Sequence, residues 1–167
     1  TAPLPTPLSR RGGIRQCLFA DVVWFRSRRA RSEAALTMSG ERGVPRLVAM
    51  INLVMRRVQD DWSLQAFLGA DPEITLRICT GAHSKVHQGT TAALERLIDL
   101  EIKRGHFEAD LDTPTLAYAI ARISEGFLYS DIIADRSPDI DQASTGIEGV
   151  LRGLDTTTRV ANARWLL

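Results

Sequence analysis

Long hydrophobic runs are missing from this 167-residue sequence. The most apolar stretch, Cys17 to Phe25, is interrupted by Asp21 and falls short of the ~20 residues a membrane-spanning helix needs. The proline-rich N-terminus lacks the basic, then apolar, then small-residue order of a secretory signal. A cytoplasmic location without membrane attachment is therefore expected. Cysteine is scarce: Cys17 and Cys79 cannot staple a domain of this size, and both read as buried apolar residues. Phosphate-cradling glycine motifs and the strained G-x-S-x-G nucleophile turn are absent, so no catalytic residue and no cofactor is assigned. Alternating strand patterns and internal repeats are absent too. The first residue is Thr1 rather than Met, as expected of a processed, truncated or fragmentary chain.

What is present is a globular composition, 44% hydrophobic and 25% charged, enough for one domain with a real core. The net charge of +1 predicts no polyanionic partner, but its distribution is uneven. Residues 1–60 carry a net +7 and residues 61–167 a net −6. Either the N-terminal part faces a polyanion or an acidic neighbour, or Arg26, Arg28, Arg29 and Arg31 form a solvated helix face.

The spacing of apolar residues predicts an all-α fold. Residues 1–13, with Pro3, Pro5 and Pro7, read as an extended tail or linker, residues 14–154 as the folded domain, and residues 155–167 as a C-terminal tail. A helix is expected from Ile14 to Leu36, with a break at Gly40 and Gly43. The next runs from Pro45 to about Asp60, with Leu47, Ile51, Val54 and Val58 on one stripe. A short helix follows from Trp62 to Leu68, closed by Gly69. Asp71-Pro72-Glu73 is a helix start, since Asp71 accepts from orphan amides and Pro72 needs no donor there; Gly81 stops that helix. Ser84 opens a longer one to Arg104, with Val86, Ala93, Leu94, Leu97, Ile98 and Ile102 toward the core, and Gly105 ends it. Asp112-Thr113-Pro114 opens another to about Ala134, apolar on two faces, which needs cover on both sides. The last, 141–154, carries Gly146, Gly149 and Gly153 along one face. Glycines cost roughly 1 kcal/mol each in a helix interior, so close approach of another helix is expected there.

The stretch from Lys103 to Tyr129, KRGHFEADLDTPTLAYAIARISEGFLY, resembles the C-terminal domain of TetR-family transcriptional regulators. A basic residue and glycine close one long helix, and an Asp/Pro turn opens the helix used for dimerisation. Segments similar to Asp61–Leu68, Asp71–Ile78 and Ile123–Ile133 place the likeness nearest the QsdR-like branch, over roughly residues 17–153. The resemblance implies a helical bundle in which helices 114–134 and 141–154 pair with their copies into a four-helix homodimer interface. Helices 17–36, 45–60 and 84–104 would enclose a cavity for a small-molecule effector. Dimer geometry would couple that cavity to a pair of DNA-binding heads. The family's helix-turn-helix lies before the first of these helices, and the thirteen residues available here cannot form it. DNA binding is therefore expected only through a unit absent from this sequence.

From helix faces, Trp24, Met50, Val54, Arg57, Leu94, Tyr118, Arg122 and Glu125 are candidate ligand contacts. Leu116, Ile120, Phe127, Leu128, Gly146, Gly149, Val150 and Gly153 are candidate dimer contacts. Arg122 and Glu125 stand in an otherwise apolar helix with Tyr118 and Tyr129 one turn to either side. They could line a cavity or pair across the dimer, but a structural salt bridge is the favoured reading. Cys79, His83 and His87 repeat at the four-residue spacing of a zinc face. Gly81 and Ser84 break that face, no acidic residue completes it, and the histidines read as exposed ones near a helix start, so no metal is assigned. Two other functions stay open: an all-α dimeric interaction protein that has lost DNA binding and acts by pairing with a partner, and a small helical enzyme using Arg122 or Glu125.

Overall fold

A computed structural model describes residues 40–157, His83 and Asp135 excepted. The expected helix at 14–36, with Cys17 and Trp24, and the tail beyond 157 lie outside the described residues. Six helices follow one another: α1 (Gly43–Gln59), α2 (Trp62–Ala70), α3 (Pro72–Thr80), α4 (Lys85–Lys103), α5 (Thr113–Ile133) and α6 (Ile140–Leu154). There is no strand among the described residues, only a single antiparallel bridge between Ala109 and Asp155. The all-α expectation is met.

The local signals work as their chemistry requires. Asp71, Ser84, Asp112 and Asp139 each accept a backbone amide three residues on, from Ile74, His87, Thr115 and Gln142, and so satisfy orphan donors at four helix starts. Gly105, at φ +69°, ends α4 in the left-handed conformation that glycine adopts freely. Two boundaries differ from expectation by more than one residue. α1 begins at Gly43 rather than Pro45, and α2 runs through Gly69 to Ala70 because Asp71 caps the next helix directly.

The Thr115 amide, hydrogen-bonded to Asp112, holds that carboxyl below the usual carboxylate range. A group whose folded-state value is lowered contributes stability fully above its ordinary value and loses it as pH falls through the folded one. Fraying of the first turn of α5 is therefore expected only below about pH 4, and amide exchange at Thr115 across an acid titration checks it.

In the tertiary arrangement α4 lies along α5 and α1 along α6, with α5 against α6 and α1 against both α4 and α5. α2 and α3 pack on each other, and α3 rests on α4 and α5. One apolar core runs through all six helices, from Leu47, Ile51 and Met55 of α1 to Leu116 and Ile120 of α5 and Ile147 and Leu151 of α6. Ile102, expected in the core stripe of α4, is exposed, because the last turn of that helix presents its neighbour Glu101 to the interior instead. Between α1 and α6, Asn52 donates to Ser144 at 2.7 Å and Arg56 pairs with Asp141. After α6, the Thr156 amide donates to the Glu108 carbonyl at 2.8 Å, tying the chain there to the turn before α5.

Candidate functional site

A polar cluster sits where α3, α4 and α5 meet. Three of its members come from α5 at helical spacing: Tyr118, Arg122 and Glu125. Both oxygens of Glu125 are used. His87 Nδ1 lies 2.7 Å from Oε1, and Arg122 donates to Oε2 at 2.8 Å. The same Arg122 nitrogen donates at 2.6 Å to the Thr80 carbonyl, one of the last carbonyls of α3 that no intrahelical amide can reach. His87 meets the Tyr118 ring edge-on at 5.5 Å, and the Arg122 guanidinium lies 5.0 Å from that ring's centre. The Tyr118 side chain is chiefly what holds the Arg122 guanidinium above its ordinary range, against the opposing cost of desolvation.

The cluster is graded from solvent to core. Tyr118 is 47% exposed, while His87 is 4% exposed. Below them Cys79 and Tyr129 face each other. Burial pushes the Cys79 thiol up to about 11, with Tyr129 opposing and Glu125 adding to the shift. Burial, then the Cys79 sulfur, raises the Tyr129 hydroxyl well above its usual value. At neutral pH Cys79 is thus a buried thiol and a poor nucleophile. The assembly offers an aromatic surface and a guanidinium at its mouth, with ion-paired hydrogen bonding behind them. No hydroxyl or thiol nucleophile is activated within it.

Among the expected ligand contacts, Tyr118, Arg122 and Glu125 come together. Their pairing is an intrachain salt bridge, extended by two groups not foreseen for it, the Thr80 carbonyl and His87. His87 is buried rather than exposed, because the start of α4 packs against α5 and not outward. The clue was available: His87 stands two turns before Leu94, a member of the core stripe expected for the same helix. Met50 is buried on α1, Val54 and Leu94 are half-buried, and Arg57 is exposed. Trp24 lies outside those residues. No group of three or more His, Cys, Asp or Glu side chains among the described residues is placed to hold a metal ion. No described helix is long and apolar enough to cross a membrane.

The expected dimer contacts divide in two. Leu116, Ile120 and Leu128 are buried in the chain's own core and offer nothing to a neighbour; Phe127 is half-buried against the same core. Gly146, Gly149, Val150 and Gly153 lie on the exposed side of α6, opposite its core face of Ile140, Ala143, Ile147 and Leu151. A methyl group built on any of these three glycines meets nothing within 4 Å, so no described helix of the chain makes the close approach their spacing suggested.

Among the described residues the class is an all-helical domain with an ion-paired cluster between α3, α4 and α5 and a glycine-bearing exposed side on α6, and the comparisons place it. The structure is similar to that of the R. erythropolis transcriptional repressor QsdR from the TetR family, with a TM-score of 0.69 at 19% identity, over 81% of this chain and 69% of that one. No curated protein sequence matches the chain. The family model described as Tetracyclin repressor-like, C-terminal domain, matches residues 42–152, and the chain belongs to that family.

Proposed function

We propose that this domain is the effector-binding and dimerisation half of a TetR-like transcriptional regulator. In the intact protein it would control operator binding in answer to a small, mainly apolar molecule. QsdR, which shares the fold, is a transcriptional repressor, and that supports a regulatory rather than an enzymatic role. The observation that carries the reading is the side of α6 left exposed among the described residues. Glycine weakens a helix, yet Gly146 and Gly149 stand on a side of α6 where an added methyl group meets no described residue, and a second copy gives them a purpose. The cluster of Tyr118, Arg122, Glu125 and His87 supports the effector half, since small-molecule sites combine apolar walls with a few convergent polar groups.

Sedimentation of the chain at micromolar concentration tests this. A homodimer is expected. Gly149→Leu, whose side chain starts where no described residue lies within 4 Å, should leave the fold intact and shift the population to monomer. A wild-type chain that stays monomeric at tens of micromolar, or a Gly149→Leu variant that dimerises as well as the parent, would sink the proposal. Thermal shifts against a panel of apolar small molecules, compared between wild type and Tyr118→Ala, test the effector half separately.

A further inference from the structure

α1 has no cap of its own. The Arg42 side chain makes no capping hydrogen bond, and no acidic residue lies in the first turn. The Gly43 amide instead donates at 2.7 Å to the Glu101 carboxylate, 58 residues further on at the end of α4. Glu101 is fully buried. Arg46 Nε lies 3.5 Å from it, Arg104 3.7 Å and His106 Nδ1 3.4 Å. Arg46 Nε, Glu101 Oε1 and His106 Nδ1 are buried without hydrogen-bond partners, so beyond the Gly43 hydrogen bond it is attraction of charge that holds this group. Burying a carboxylate is tolerable here because two guanidiniums and the positive end of α1 surround it. Without it, those positive groups would face one another. Only glycine fits here: Gly43 has φ +61°, and a Cβ there would stand 2.4 Å from the His106 carbonyl oxygen.

We infer that Glu101 is a charge lock at the start of α1. Its carboxylate clamps the first turn of α1, the last turn of α4 and the turn through His106. Removing its charge releases the first turn of α1 and leaves the rest of the bundle in place. The lock fixes the position of Arg42 and Gly43 on the domain, and it is independent of the effector and dimer reading.

Amide exchange of the full chain tests it. The Gly43 amide has no acceptor within its own helix, so its protection reports the lock alone. Glu101→Gln keeps the shape and an accepting oxygen but removes the charge. Exchange at Gly43 is expected to rise about tenfold or more, with α5 amides unchanged. Unchanged exchange at Gly43 would mean that the hydrogen bond alone suffices and would overturn the inference. Equal acceleration at every amide would also overturn it, by making Glu101 an ordinary core residue. If Glu101→Gln fails to fold, Arg104→Met decides, since that side chain is 44% exposed and its loss is mild. Gly43 should then exchange severalfold faster, and an unchanged rate would overturn the lock.

Discussion

Replacing Glu125 with alanine is expected to destabilise the domain by about 3 kcal/mol, because it leaves two buried or half-buried polar groups facing nothing. The Glu125 side chain is 11% exposed and receives both His87, which is 4% exposed, and Arg122. Removing one member of such a group costs more than the group contributes, since the desolvation of the survivors is no longer offset. Arg122 is 32% exposed and can turn partly to water, which keeps the effect at the low end of the range for buried pairs. Urea denaturation measures it. Replacing the group together, with Glu125→Leu, Arg122→Met and His87→Leu in one chain, should recover most of the loss. A single Glu125→Ala variant within about 0.5 kcal/mol of wild type would mean that the cluster is not formed in solution.

Phe107→Ala should cost as much or more, about 3–5 kcal/mol. Phe107 is 1% exposed and sits in the turn that joins α4 to α5, where its ring belongs to the same core as Leu47, Leu116 and Ile147. A turn anchored by Gly105 in the left-handed conformation and by the Thr156 contact to Glu108 has little freedom to collapse into the cavity left behind. The midpoint of urea unfolding should fall with its slope unchanged. Trp62→Ala provides the contrast: that larger ring is 71% exposed, and its loss should stay within about 0.5 kcal/mol. A Phe107→Ala effect no larger than that of Trp62→Ala would place Phe107 outside the core.

Local chemistry made most of the fold legible. Asp71-Pro72-Glu73, Ser84, Asp112-Thr113-Pro114 and Gly105 each act within one helical turn, so their roles could be read before any packing was known. The 3.6-residue spacing put Leu47 and Ile51 on the core face of α1 for the same reason. α1 was misjudged at its start because its cap comes from Glu101, 58 residues away, and no local pattern announces a distant carboxylate.

The sequence by itself determined the helical class, most helix limits, the pairing of Arg122 with Glu125 three residues on, and the glycine face of α6. Each of these depends on neighbours within two turns of one helix. Only the tertiary structure decided that His87 and the Thr80 carbonyl complete the Arg122–Glu125 pair, that Leu116, Ile120 and Leu128 belong to the chain's own core, and that Glu101 clamps α1 to α4. Those contacts join segments tens of residues apart, and which distant groups meet depends on how the helices pack rather than on any spacing along the chain.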